Sequence, residues 1–287
     1  MSDFFEALCD PNIPFVRYAM LVGVLSSISL GIVGSYVVTR RISYIAAAIA
    51  HCVLGGIGSA LYLQKVVGCS WCDPIYGALA AAILSALVIG LVSLYAKQRE
   101  DTVISAVWAI GMAVGLLFLA KVPGFVDPMS YLFGNILLIS PGDLWLVAGM
   151  DIIVAAVGVG FYKKFLALCF DEEFAALRGV QVKAFYLLLL CLTALTVVLL
   201  VRVVGIVLVI ALLTLPPAVA GYFSRQLWQM MLLAVIFCAF VVGAGIAVSY
   251  PIDMPSGPII ILLAGIVYLA VTVIGRLRWT FARRIAK

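Results

Sequence analysis

Residues 228–249 read WQMMLLAVIFCAFVVGAGIAVS, a stretch without a single charged side chain. As an α-helix rising about 1.5 Å per residue it is long enough to cross the roughly 30 Å hydrocarbon core of a bilayer. It does not alternate apolar and polar residues as a barrel strand would, and a membrane admits only helices or closed barrels. Working outward, comparable runs fill most of the 287 residues. Of these residues 66% are hydrophobic and 11% charged, with a mean hydropathy of +1.26. A soluble domain keeps about a quarter of its residues charged, so the chain lies outside that class. The reading is all-α: a polytopic transmembrane bundle of about nine spans (eight to nine) in one domain covering 1–287.

The spans are drawn at about 15–38, 44–63, 75–95, 102–120, 143–161, 184–201, 206–223, 228–249 and 258–275. The N-terminus is acidic (Asp3, Glu6, Asp10) and lacks the basic start and cleavage site of a secretory signal, so the run from Phe15 is read as a retained helix. With the N-terminus outside and the C-terminus cytoplasmic, 14 basic residues fall inside: Arg40, Arg41, Lys97, Arg99, Lys163, Lys164, Arg178, Lys183, Arg225 and five in the tail. Only 4 fall outside, namely Arg17, Lys65, Lys121 and Arg202. Cytoplasmic loops are enriched in Lys and Arg, which supports this drawing. The +5 net charge is therefore a matter of topology and lipid, not of nucleic acid.

Three stretches depart from simple spans. Residues 121–142, KVPGFVDPMSYLFGNILLISPG, carry Pro123, Pro128 and Pro141, which argues for a short external or re-entrant element. In the run from Gly205 to Phe223, Pro216 and Pro217 remove backbone donors and are expected to break or kink the helix. A broken helix often lines a transport path, and a structural kink is the equal alternative. The loop 162–183 contains KKFLALCFDEEFAALRGVQVK, a short amphipathic helix that Gly179 is placed to end. Such a helix either docks a soluble partner or lies on the bilayer surface. No Gly-rich phosphate loop ending in Lys-Ser or Lys-Thr occurs, so any ATP must be bound by another subunit.

Few side chains can carry chemistry. His51 is the single histidine and sits about seven residues into the second span, with Ala47, Gly55 and Ser59 on its face. Neutral imidazole suits divalent transition metals, and an ionisable residue inside a membrane is a functional hypothesis by default. The other reading, equally weighted, is a packing stripe of small residues with a hydrogen-bonded histidine. Asp151, midway along the fifth span, either supplies oxygen to a cation path or, the favoured reading, bonds a neighbouring helix. Cys69-Ser-Trp-Cys72 falls in an outer loop, where an oxidising compartment favours a local disulfide over a metal site. Cys52, Cys191 and Cys238 pack within spans as small hydrophobes.

Together, several segments resemble the permease family of the ABC transporters that take up zinc, manganese and iron. They are Arg41-Ile42-Ser43-Tyr44 leading into Ala50-His51-Cys52-Val53-Leu54-Gly55-Gly56; Tyr131-Leu132-Phe133-Gly134-Asn135 followed by Asp143; Phe170-Asp171 through Gly179-Val180; Val204-Gly205 through Leu215-Pro216-Pro217-Ala218; and Tyr250, Asp253, Pro255, Ser256, Gly257 and Pro258. The resemblance implies a transport subunit, not an enzyme, in a bacterial inner membrane, with no tightly bound cofactor. Its partners would be cytoplasmic ATPases, a second permease copy or relative, and an extracytoplasmic metal-binding protein. It implies a metal role for His51, a pathway role for Asp151, Pro216 and Pro217, and an ATPase-coupling role for Phe170, Asp171, Glu173, Ala175, Ala176 and Gly179. Two departures stand out: Ala47 where the family usually places an aspartate one turn before the histidine, and Phe174 inside an otherwise Glu-Ala-Ala-x-x-x-Gly-like docking motif. The alternative class is a secondary transporter driven by an ion gradient, with His51 and Asp151 as its proton relay. A membrane metalloenzyme is disfavoured by the shortage of ligands.

Overall fold

The structure, a computed structural model, describes residues 14–95, 100–123, 132–133, 141–252 and 254–285. The apolar runs are helices: α1 Pro14–Thr39, α2 Ser43–Lys65, α3 Pro74–Tyr95, α4 Glu100–Lys121, α5 Pro141–Gly160, α6 Tyr162–Phe170, α7 Glu172–Leu177, α8 Val182–Val204, α9 Ile206–Phe223, α10 Leu227–Ile252 and α11 Ser256–Ile285. Eight are long and apolar enough to cross a membrane, and α5 with α6 makes a ninth if that pair, bent by 66°, is one span. No strand occurs among the described residues. The drawn boundaries hold to within a few residues, with two differences. The last helix runs on to Ile285 instead of stopping near 275, and α8 reaches Val204, so that Gly205 alone separates it from α9. Gly205 has φ 90°, a left-handed value that a residue without Cβ adopts freely.

The prolines of α9 do not break it. The helix runs unbroken from Ile206 to Phe223 with Pro216 and Pro217 inside and buried. A proline at 217 cannot donate to the carbonyl of Leu213, which is left without its helical partner. That carbonyl lies against Gly34 of α1, so close that a Cβ on Gly34 would collide with it and stand 2.8 Å from Pro217 Cγ. The neighbouring helix covers the freed carbonyl. The expected external or re-entrant element at 121–142 lies mostly outside the described residues, as do Tyr131, Gly134, Asn135 and Asp253. Within it, the Phe133 carbonyl packs on Gly257 at the start of α11, joining two segments that are far apart in sequence.

Contacts between connections show which ends of the helices lie together. Arg40, at the α1–α2 corner, forms an ion pair with Glu172 of α7. Lys183 of α8 stands 4.5 Å from the ring of Tyr95 at the end of α3. Thr39 Oγ1 donates to Met230 Sδ of α10 at 3.6 Å. One end of the bundle therefore carries Arg40, Arg41, Lys163, Lys164, Arg178, Lys183 and Arg225, while Lys65 and Lys121 end their helices at the other. Helices α1 and α5 run parallel: Tyr36 donates to the Gly158 carbonyl at 2.7 Å, and Asp151 meets Ser29 at the same separation of 122 residues.

Burial is uneven. In α1 and α2, 72% and 83% of the most apolar stretch is covered by the rest of the chain, against 17% for both α4 and α11. The outer faces of α4 and α11 are thus left to lipid or to another protein. Glycine sets how closely α2 approaches its neighbours. A Cβ on Gly55 would stand 2.7 Å from the Gly111 carbonyl and one on Gly58 2.5 Å from the Gly115 carbonyl, both on α4. On another side Gly56 and Gly77 of α3 meet backbone to backbone. Lipid tails are as apolar as leucine, so such backbone contact, not water exclusion, holds membrane helices together.

Candidate transport site and coupling segment

His51 lies half-buried on α2, packed against α4. Its Nδ1 is 2.7 Å from the Ala47 carbonyl one turn back. A carbonyl only accepts, so Nδ1 carries the proton, and the neutral ring keeps its lone pair on Nε2. The ring stacks on Trp108 of α4, with centroids 4.4 Å apart and planes 28° apart. Trp108 Nε1 donates to Met112 Sδ at 3.2 Å. Toward the basic end, Tyr44 stands 5.9 Å from Trp108 and shares a 2.6 Å hydrogen bond with Ser105. The imidazole is therefore held in one orientation and one tautomer by backbone and aromatic contacts alone.

Both readings of this face hold in part. Gly55 packs against Gly111, and the Ser59 hydroxyl donates to the Gly56 carbonyl at 3.0 Å, so the small residues are a packing stripe. His51, however, offers an unused nitrogen at the edge of that seam. Ala47, which departs from the aspartate usual in the resembled family, contributes its carbonyl to the ring. Among the described residues no group of three or more His, Cys, Asp or Glu side chains is placed to hold a metal ion. Among the described residues, the donor identified on this face is the Nε2 nitrogen of His51. Sequence reasoning missed Trp108, Met112 and Ser105, and named Tyr44 only within the family signature. The four-residue spacing of Trp108 and Met112 marks a common face, but nothing in the sequence says that this face meets His51.

Asp151 is 5% exposed and lies on the stripe Val147–Asp151–Val154–Gly158, buried along its length against α1. It meets Ser29, while its Oδ2 is buried without a hydrogen-bond partner. Asp151 thus faces α1 and His51 faces α4, and the two are not brought together as a relay. Pro216 and Pro217 lie in the core against α1, also away from the His51–Trp108 stack.

The loop expected to hold one amphipathic helix holds two. Helix α6 turns from α5 and buries Phe165 and Leu168 fully, with Phe165 packed against Tyr36, Phe161 and Phe185. The chain breaks at Asp171, whose carboxylate accepts the Phe174 N–H at 2.9 Å as the N-cap of α7. At the other end Gly179 has φ 76°, Gly179 N–H donates to Ala176 and Val180 N–H to Ala175, the paired bonds of a Schellman stop. Asp171 and Gly179 thus frame the helix, and Ala175, fully buried, seats it. Phe170, Phe174 and Leu177 are 69%, 49% and 87% exposed, with Glu173 and Ala176 also exposed. Apolar side chains at the basic end of the bundle, outside the membrane-length helices, form a surface suited to a protein partner.

Cys69 and Cys72 are free thiols, not the expected disulfide. The turn that joins them carries a Cys72 N–H···O=C Cys69 bond of 3.2 Å, and the neighbouring Cys69 sulfur holds the Cys72 thiol above its ordinary pKa.

Eight to nine apolar helices, with a short capped helix that exposes an apolar face at the basic end, define a multi-pass membrane protein. Residues 12–275 match the model of the ABC 3 transport family. The chain is 41% identical over 265 residues to a probable metal transport system membrane protein of Chlamydia trachomatis, covering 91% of this chain and 89% of that one. It is 32% identical to the manganese transport system membrane protein MntC of Halalkalibacterium halodurans, covering 93% and 89%. Among solved structures it resembles PsaBC from Streptococcus pneumoniae in complex with Fab, with a TM-score of 0.82, 27% identity and 94% of each chain covered. The chain belongs to the ABC 3 transport family.

Proposed function

We propose that this chain is the permease subunit of an ATP-driven importer for a divalent transition metal in a bacterial inner membrane. What supports the reading most is the family match over 12–275, joined to a coupling-type helix folded as a separate capped unit at the basic end. Manganese leads zinc and iron as the cargo, because several relatives are named for manganese transport. The basic end faces the cytoplasm, following the bias of Lys and Arg. There, Phe170, Glu173, Ala176 and the apolar knobs of α7 meet a cytoplasmic ATPase, while Asp171, Ala175 and Gly179 hold that surface in shape. A second permease packs on this one, and an extracytoplasmic binding protein delivers the metal to the opposite end.

His51 meets the passing ion through Nε2. A single nitrogen binds an ion weakly and lets it leave, as a conduction path requires; the other ligands come from water, the second permease or both. Asp151, Pro216 and Pro217 act by shaping the α1 surface against which the bundle moves. The test is metal-stimulated ATP hydrolysis and uptake by the complex in vesicles with its binding protein, offered manganese, zinc and iron. His51→Ala is expected to cut metal-dependent uptake about tenfold or more, the loss of about 1.4 kcal/mol of interaction, while the complex still assembles. Uptake unchanged in His51→Ala would return the histidine to a packing role, and no response to any of the three metals would refute the importer.

A further inference from the structure

Helix α7 has only six residues and one fully buried side chain, so its main contacts alone tie it loosely to the bundle. Its first residue, Glu172, is also bound sideways, by an ion pair to Arg40 at the α1–α2 corner. We propose that the Arg40–Glu172 pair is the strut that carries movement of α7 into α2 and so to His51. The proposal rests on the reading of α7 as the element an ATPase grips, and it adds positioning residues, Arg40 and Glu172, that the coupling surface itself does not include.

Three features of the corner make it a transmitter. First, it has no slack. Arg40 N–H donates to Tyr36 at 2.8 Å, Arg41 N–H to Val38 at 3.1 Å and Ile42 N–H to Val37 at 3.0 Å, a Schellman stop after which α2 begins at once. The left-handed position, ordinarily glycine, is held by Arg41 at φ 62°. A backbone fixed this way moves as a body, so a pull on Arg40 reaches the start of α2. Second, the guanidinium is aimed: Arg40 Cζ lies 5.8 Å from the ring of Tyr186, itself 4% exposed at the start of α8. A planar cation laid on an aromatic face holds its fork toward the carboxylate. Third, the pair borders a cavity of about 320 Å³ whose wall includes Arg41, Tyr44, Asp101 and Tyr186. Tyr44 is seven residues before His51, two turns along the same face, and both meet Trp108. The line of contact therefore runs from Glu172 through Arg40 and the corner to Tyr44, Trp108 and His51.

A structural role explains the pair less well. Arg40 and Glu172 are 25% and 44% exposed, and ion pairs so open to water add little to folding stability. The same openness lets the pair be broken without collapse of the chain.

The test uses the whole complex of permease, ATPase and binding protein in vesicles and reads metal taken up per ATP hydrolysed. Arg40→Gln and Glu172→Gln each keep the bulk and remove one charge. Each is expected to lower the ratio about fivefold or more, the low end of coupling factors between sites, with co-purification of the ATPase and the thermal midpoint retained. Because the two residues act as one unit, the double variant is expected to fall no further than the worse single variant. An unchanged ratio in both single variants, or losses that multiply in the double variant, would overturn the strut. If the unaltered chain assembles with no ATPase, the reading of α7 falls first, and the strut with it. Assembly with an unchanged ratio overturns the strut alone.

Discussion

Glycine 58 tests the seam on which His51 depends. Replacing it with alanine would put a Cβ 2.5 Å from the Gly115 carbonyl, a backbone atom that cannot rotate aside. An ordinary contact of about 3.5 Å requires α2 and α4 to part by about 1 Å, and a gap of that size forfeits about a quarter to a half of the dispersion energy across it. Overpacking of this kind costs about 1–3 kcal/mol, while alanine in place of a helical glycine gains about 0.5–1 kcal/mol. Taken at mid-range the net loss is about 1 kcal/mol, and the 4.4 Å stack of His51 on Trp108 opens with the seam. The control is Gly149→Ala on α5, where nothing lies within 4 Å of the added carbon and only the helix gain applies. In detergent, Gly58→Ala should melt below the unaltered chain by roughly 2–4 °C, the shift expected for about 1 kcal/mol, and Gly149→Ala at or above it. Uptake should fall only in the first. Equal melting of the two variants would refute the argument that backbone contact between α2 and α4 holds this site.

Two further outcomes follow from local geometry. Arg41 stands in a left-handed conformation that costs an L-residue roughly 1–2 kcal/mol, so Arg41→Gly should raise stability by about 1 kcal/mol in chemical denaturation; destabilisation would mean that its side chain holds the corner. Cys69 holds the Cys72 thiol in its protonated form, so at about pH 8.5, the ordinary cysteine value, Cys72 carries less thiolate than a free cysteine and should be alkylated slowly. Cys69→Ala should speed that alkylation, and an unchanged rate would show that the neighbouring sulfur is not the cause.

Much of the architecture was legible in the residues. Bilayer thickness fixes the length of a span, and the charge bias orders the connections, so nine runs drawn from hydropathy overlie the helices α1 to α5 and α8 to α11. The helix stop at Gly179 was legible too, because capping is local chemistry, whereas the break at Asp171 was not foreseen. The prolines of α9 misled because their effect depends on what covers the freed carbonyl, and that is Gly34, from a helix far away in sequence. The outer cysteines misled because an oxidising compartment only permits a disulfide, and here both thiols stand free.

The sequence by itself determined that this chain spans a membrane, roughly where each helix starts and stops, which family it belongs to and that His51 is its single imidazole. Those properties are set by composition, local backbone chemistry and order along the chain. Only the tertiary structure decided which faces meet: that Nδ1 of His51 is bound to Ala47, that Trp108 lies on its ring, that Asp151 looks toward Ser29 instead of His51, and that Arg40 reaches Glu172. In an almost uniformly apolar helix the hydrophobic pattern does not distinguish the face that meets a neighbour from the face that meets lipid. That choice is made by close backbone approach at a few glycines; the small-residue spacing around His51 marks one such face but not which helix it meets.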